Sequence, residues 1–570
     1  MTATSPTTTL APAAVPARWM DGRHVVARVA PTVGFVSVLV LAAAVRWWHL
    51  WDIPSSTDEL LGVGRGLQVA RGQILPLTDF EPYIGSFWNY VLALGFLLAG
   101  PSEYVGRGIP FLVGILTVGA TFLLAREMGG VVAGWVAAIL LATSSAHILA
   151  TSHPAWSHCF SPLFAALGLW QLQRCVRQDN ARGLLASAFW LGLAVQTHPT
   201  MAALLPGVGG YLLLKRRAWM LSRWPYLGAG VGVLLLGNII AFNLITDFGS
   251  VRRAAAVGTA YARGRGAGID LYAGNIQRMG LLSLQVVSGV IDIRDRPRDY
   301  LQDPRVIGPG VLALVGALLL SRRGNPIVFL AALPFAAMLA ILNAKYEVIP
   351  NARFLTPLLP LAFAGTGALL GSAWQSLAAR PTVGPLLASG GLGVVVCTLA
   401  AISLLGLAGR YDQMESSART TAMLRSAVDS LEQARTANEP ILLDRNLDRL
   451  WLDGGGDVWM ALNFELTRRN APVSDLPRRV TPPFGETDPC VAQRVIVARI
   501  DRSRGVPRWL GPGFRADPDD LPRQFWTFRI VPAAVQIGPL APNEWVVLEY
   551  EPPISGSART VDHCAPGRLI

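Results

Sequence analysis

Apolar residues in this chain come in long, nearly unbroken runs rather than at helical or strand spacing, and the runs recur from about residue 29 to about residue 409. A helix crossing the hydrocarbon core of a bilayer needs roughly 17–25 such residues. Candidates lie near 29–50, 107–126, 131–150, 158–175, 183–198, 200–214, 225–246, 306–321, 326–343, 354–374 and 384–409. The pattern predicts an all-α polytopic membrane domain with about eleven transmembrane helices. The apolar stretch 87–100 is about fourteen residues long, short for a span, and reads as an interfacial or re-entrant segment.

Cations orient these spans. Arg18, Arg23 and Arg28 precede the first, Arg126 follows the second, Arg174, Arg177 and Arg182 follow the fourth, Lys215, Arg216, Arg217 and Arg223 follow the sixth, and Arg322 and Arg323 follow the eighth. Short basic loops stay in the cytoplasm, so every second connection is cytoplasmic. The N-terminal segment 1–28 is then a cytoplasmic tail, Thr-, Ala- and Pro-rich over 2–16 and disordered, and the first span is a signal anchor. The loops 51–106 and 247–305 fall outside, as do the turn 152–158, His198 and the segment 345–351.

Past residue 409 the hydropathy drops. An amphipathic helix over 411–435 leads into strand-like segments at 440–443, 494–500 and 545–550 and a helix at 458–469. The stretch 410–570 therefore reads as a soluble extracytoplasmic domain of α/β or α+β type behind a catalytic membrane domain spanning 29–409. Composition agrees with a multi-pass protein of the plasma (inner) membrane. Of 570 residues, 52% are hydrophobic and only 15% charged, and the mean hydropathy is +0.41. The net charge of +12 sits largely in short loops, where it sets topology, so nucleic acid is not an expected partner.

The candidate chemistry begins where the first run ends. Trp47, Trp48 and Trp51 carry rings that favour the headgroup region, and the adjacent carboxylates Asp58 and Glu59 follow within a few residues. Carboxylates at that depth point to a lipid-borne substrate, although a solvated pair at a helix N-terminus capped by Ser56 or Thr57 would show the same pattern.

Further motifs extend this reading. Glu81-Pro82-Tyr83 and Trp88-Asn89-Tyr90 follow the carboxylates, Arg107 opens a span that closes with Leu124-Ala125-Arg126-Glu127-Met128-Gly129, and Gly192–Pro199 ends in Gln196-Thr197-His198-Pro199. Asn351-Ala352-Arg353-Phe354-Leu355-Thr356-Pro357 comes later. Over roughly residues 29–375 this order resembles the GT-C class of membrane glycosyltransferases, in the branch of the protein O-mannosyltransferases and the aminoarabinose lipid A transferases. The resemblance implies sugar transfer from a polyprenyl-phosphate donor on the external face, with Asp58 matching the catalytic carboxylate of the first external loop. The donor and membrane lipid are the implied partners, the acceptor being a protein, lipid or glycan hydroxyl, and no metal or other cofactor is expected. The chain departs from the pattern in three places: Glu81-Pro82-Tyr83 stands where a Lys-Pro-Pro turn is common, Ser152–His158 lacks an acidic residue common after the third span, and His198 stands where a Lys commonly ends the fifth.

The chemistry asks for the same groups. An acceptor hydroxyl displacing phosphate from an anomeric carbon needs a base for its proton and cations for the charge growing on the leaving group. Asp58 is the expected base, with Glu59 in support. Arg353 offers a bidentate guanidinium, and Arg107, His153, His158, His198 and the Gly-flanked pair Arg263 and Arg265 are further phosphate candidates. Glu81, Tyr83 and Trp88 are expected to shape the sugar or acceptor cleft. The same charges would line a transporter or flippase path, or mark an inactive scaffold binding envelope partners, and those are the rival readings. Cys159, Cys175 and Cys397 fall in apolar runs, whereas Cys490 and Cys564 are expected to form a disulfide in the external domain.

Overall fold

The computed structural model describes residues 22–51, 53, 55–262, 269–291, 297–342, 349–380, 384–434, 441–444, 458–469, 473–476, 494–498, 527–532 and 544–549. It is nearly all helix up to Ala434. Among the described residues four helices are long and apolar enough to cross a membrane alone: Tyr104–Gly129, Pro304–Arg322, Ala352–Ala378 and Gly384–Asp412. Two bent pairs raise the number to six if each is one span: Val131–Ala142 with Ser145–Ser152, bent by 55°, and Arg223–Leu235 with Gly237–Ile245, bent by 59°. The difference from about eleven expected spans has a local cause. Several apolar runs fold as shorter helices, such as Phe87–Ala99, Gly183–Thr197 and Ile327–Leu339.

The amphipathic helix expected after residue 409 is not a separate element. It continues the last apolar run without a break, so that Gly384–Ala434 is one helix of 51 residues. Residues 410–434 contain neither glycine nor proline, so nothing in them breaks the helix. The stretch expected as an external loop over 247–305 likewise contains two helices, Gly249–Ala262 and Ile269–Ser288. The second buries Met279, Leu282 and Val286.

Beyond residue 434 five strands form one mixed sheet. They are β1 (Ile441–Asp444), β2 (Val473–Leu476), β3 (Arg494–Ala498), β4 (Thr527–Pro532) and β5 (Glu544–Glu549), in the order β2-β1-β3-β5-β4. β1 runs parallel to β2 and β3, β5 antiparallel to β3, and β4 parallel to β5. The helix Val458–Arg468 packs against Thr57–Ala70, where the Arg71 guanidinium donates to the Thr467 carbonyl at 2.7 Å. Cys490 and Cys564 lie outside the described residues, as do Arg263 and Arg265.

The helix Thr57–Ala70 carries the two carboxylates and is set by glycines. Ser56 caps it, its hydroxyl accepting from the Glu59 N–H at 3.2 Å. A Cβ on Gly66 would lie 2.5 Å from Cβ of Leu92, and one on Gly62 would lie 3.0 Å from the Trp88 indole nitrogen. Small residues four apart thus let this helix lie against Phe87–Ala99.

Candidate functional site

Beside these two helices lies a cavity of about 390 Å³. The turn from Thr78 to Gly85 forms one wall. It is closed by an antiparallel bridge between its ends and by hydrogen bonds from the Asp79 N–H to the Ile84 carbonyl and from the Ile84 N–H to the Glu81 carbonyl, both 2.9 Å. Gly85 lies directly against Gln196, with its N–H on the Gln196 carbonyl at 3.1 Å, and no side chain would fit between them. That contact carries Glu81 and Tyr83 to the end of the helix Gly183–Thr197, where His198 stands.

A second wall comes from the break after Val131–Ala142. The helix turns at Ser144 and runs on to Ser152, delivering Trp156, Ser157 and His158 to the cavity. Arg46, from the first apolar helix and fully buried, holds the break. Its guanidinium donates to the freed carbonyls of Leu141 at 3.1 Å and Ala142 at 2.8 Å and to the Ser152 hydroxyl at 3.3 Å, and approaches His147 Nδ1 at 3.0 Å. A cation in an apolar run is a costly placement, and the exposed carbonyls at a helix end are what it serves here.

The third wall is the segment Ile349–Phe354. Arg353 donates to an Asp58 oxygen at 2.7 Å. Its guanidinium lies 4.4 Å from the centre of the Trp156 ring and 5.1 Å from that of Phe354, an orientation in which the π faces support the cation. His158 and His198 face each other with ring centres 4.2 Å apart, and Phe354 and Tyr83 pack edgewise or tilted around them. His198 Nδ1 accepts from the Thr200 N–H at 3.3 Å, which leaves Nε2 as the donor of the neutral ring. The helix Gly249–Ala262 covers the remaining side through Ala254, Val257 and Gly258. It is tied down by Arg253, which grips both oxygens of Glu81 at 2.8 and 2.9 Å, and by the Ser250 hydroxyl on the Pro82 carbonyl.

Of the residues singled out in the sequence, Asp58, Glu81, Tyr83, Trp88, His158, His198 and Arg353 line this cavity together. Three do not. Glu59 is buried and engaged by Arg107, Nε to Oε1 at 2.8 Å and Nη2 to Oε2 at 3.1 Å, and also accepts from the Ala155 N–H at 3.1 Å. Arg107 spends its remaining donors on the carbonyls of Leu50 and Ile53 and on the Ser55 hydroxyl. The pair is thus a brace under the start of the Asp58 helix, off the cavity lining. His153, expected as a phosphate ligand, is fully buried away from the cavity lining, with Nε2 on the Arg46 carbonyl at 2.9 Å and its ring stacked on Tyr411.

Sequence reasoning passed over Asp79, Trp156 and Phe354, which also line the cavity. The signal for Asp79 was present. It is a lone carboxylate in an apolar surrounding, two residues before Glu81-Pro82-Tyr83. Burial pushes its carboxyl up to about 6, against the Phe80 N–H, the Arg65 charge and the Asn89 amide, which favour the ionised form; the Asp58 charge adds to the rise. Among the described residues no three His, Cys, Asp or Glu side chains form a group able to hold a metal ion.

The chain has the multi-helical membrane fold of the GT-C class of glycosyltransferases. ArnT from Cupriavidus metallidurans bound to undecaprenyl phosphate superimposes with a TM-score of 0.52 at 15% identity, covering 78% of this chain and 86% of that one. The apo state of ArnT gives 0.51, also at 15% identity, over 79% and 86%. The archaeal oligosaccharyltransferase AglB from Archaeoglobus fulgidus, in complex with an inhibitory peptide and a dolichol-phosphate, gives 0.47 at 14% identity over 76% of this chain and 63% of that one. The sequence model of the family described as dolichyl-phosphate-mannose-protein mannosyltransferase matches residues 85–240. No curated protein matches the chain in sequence.

Proposed function

We propose that this protein is an integral-membrane glycosyltransferase that takes a sugar from a polyprenyl-phosphate donor and passes it to an acceptor hydroxyl on the extracytoplasmic face. The observation that carries the reading is the Asp58–Arg353 ion pair on the wall of a cavity large enough for a sugar. A second cavity, about 300 Å³, is lined mostly by apolar side chains, among them Leu284, Val287, Leu314, Phe329 and, from the chain just beyond Arg353, Leu355 and Leu359. Isoprene units fit such a lining. The undecaprenyl phosphate of the ArnT structure and the family model over 85–240 agree with a lipid-linked donor.

In this mechanism the donor phosphate takes the Arg353 guanidinium, with His158 and His198 beside it as neutral donors. Asp58 loses its partner to that phosphate and becomes the base. The acceptor oxygen attacks the anomeric carbon as its proton passes to Asp58, and the carbon–oxygen bond to phosphate breaks with its electron pair leaving on the lipid phosphate. Arg353 stabilises that charge. One displacement inverts the anomeric centre. The reading also takes about eleven spans, counting the short and broken helices, with the N-terminus in the cytoplasm of an inner-membrane protein. The sheet beyond residue 434 belongs to an external domain that positions the acceptor against the helix carrying Asp58.

The test is release or transfer of labelled sugar from a panel of polyprenyl-phosphate sugars by purified protein, comparing wild type with Asp58→Asn and Arg353→Ala. Asp58→Asn should lower turnover by at least 10²-fold while donor still binds, as loss of a general base does, and Arg353→Ala should weaken donor binding. Unchanged turnover in Asp58→Asn would move the base elsewhere, and a wild type inactive on every donor would sink the reading.

A further inference from the structure

Three carboxylates line the cavity, and two of them are matched to arginines: Asp58 to Arg353 and Glu81 to Arg253. Asp79 is different. It is only 2% exposed, yet it lines the cavity, and among the described residues no cation pairs with it. Its Oδ1 accepts from the Phe80 N–H at 2.8 Å, which fixes the carboxylate in one orientation. The Asn89 amide stands beside it, on the side away from the cavity lining, and favours its ionised form. The Trp88 indole N–H, one residue earlier and on the cavity lining, is buried and unpartnered.

A buried carboxylate without an ion-pair partner costs stability, as does a buried indole N–H without an acceptor. In a native protein such a pair on a cavity wall is explained by a ligand that completes it. The missing partners are hydroxyl donors for Asp79 and an acceptor for the Trp88 N–H. A sugar ring carries both, and an aromatic side chain at the same wall suits its apolar face.

We propose that Asp79 is the residue that recognises the sugar of the donor, accepting hydrogen bonds from its hydroxyls with the Trp88 indole donating in return. The inference rests on the lipid-linked-donor reading above and deepens it by naming the substrate class: a neutral sugar with free ring hydroxyls. Sugars bearing a carboxylate are excluded, since a second negative charge beside Asp79 is repelled within a poorly solvated wall.

The experiment separates the sugar from the lipid phosphate. Wild type, Asp79→Asn and Asp79→Ala are titrated by tryptophan fluorescence in detergent with decaprenyl phosphate, and separately with decaprenyl-phosphate hexose, pentose and uronic acid. For both variants the affinity for sugar-free decaprenyl phosphate should stay within about twofold of wild type, which also shows that they fold. Affinity for the neutral sugar donor should fall by about tenfold or more, the loss expected when a hydroxyl-binding carboxylate is removed. The uronic acid donor should bind wild type no better than sugar-free decaprenyl phosphate. An unchanged ratio of sugar-donor to sugar-free affinity in Asp79→Asn would overturn the assignment of Asp79. Failure of wild type to bind decaprenyl phosphate at all would instead overturn the lipid-donor reading on which it rests. Should Asp79→Ala lose both ligands by misfolding, the isosteric Asp79→Asn decides alone.

Discussion

Arg107→Met offers the sharpest test of how the start of the helix carrying Asp58 is held. Arg107 has a side chain only 4% exposed and donates five hydrogen bonds: two to Glu59, one each to the carbonyls of Leu50 and Ile53, and one to the Ser55 hydroxyl. Methionine fills most of the space and supplies none of them. Glu59, itself buried, is left with the Ala155 N–H as its recorded donor, and the two carbonyls are left facing an apolar side chain. Removing one partner of a buried ion pair costs about 3–5 kcal/mol, because the other charge stays buried and uncompensated. For a chain of this size that corresponds to a fall of about 2.5–4 °C in the unfolding midpoint. The assay is heat unfolding of detergent-purified protein, with the double variant Arg107→Met, Glu59→Gln beside the single one. Glutamine keeps an acceptor for the Ala155 N–H and removes the stranded charge, so the double variant should recover about 2 kcal/mol of the loss. A single variant that melts within about a degree of wild type, or a double variant that loses the sum of both single costs, would refute the brace.

Two further outcomes follow from the same geometry. The Asp79 carboxyl has its folded pKa raised from 3.8 to about 6, so the folded protein binds that proton more tightly than the unfolded chain. The penalty is absent below the unfolded value, grows as pH rises between the two, and is fully present above about 6, where it amounts to about 3 kcal/mol; Asp79→Asn should therefore melt higher than wild type at pH 7.5, with the gap closing toward pH 4.5, and a gap that does not change with pH would contradict the burial. Gly66→Val places a side chain where a Cβ already meets Leu92 at 2.5 Å, and overpacking of this kind costs about 1–3 kcal/mol; it should lower the unfolding midpoint and reduce turnover by tilting the Asp58 helix, whereas Gly64→Val, where nothing lies within 4 Å, should do neither.

Much of the molecule was legible in the order of its residues. The apolar runs and the cation pattern announced a multi-pass protein, and seven residues chosen for their chemistry line one cavity. The strand segments near 441, 494 and 545 and the helix near 458 are also where alternation and helical spacing placed them. What misled was length. A run of apolar residues does not say whether its helix stays straight, and the breaks at Thr143–Ser144 and Leu236 turn two runs into bent pairs. Nor does an apolar run advertise that Arg46 lies within it to serve carbonyls freed by a break about a hundred residues later.

The sequence by itself determined the setting: apolar helices in a membrane, carboxylates at their mouths, and an Arg-Phe motif far along the chain. These follow from composition and local spacing, which tertiary packing does not alter. Only the tertiary structure decided the roles of adjacent residues. Asp58 and Glu59 are neighbours on a helix, where successive side chains diverge by about 100°. One therefore meets Arg353 at the cavity and the other meets Arg107 beneath it. The same packing set Asp79 and Trp88 on the lining of one cavity, and a close approach of Gly85 to Gln196 joins residues more than a hundred apart.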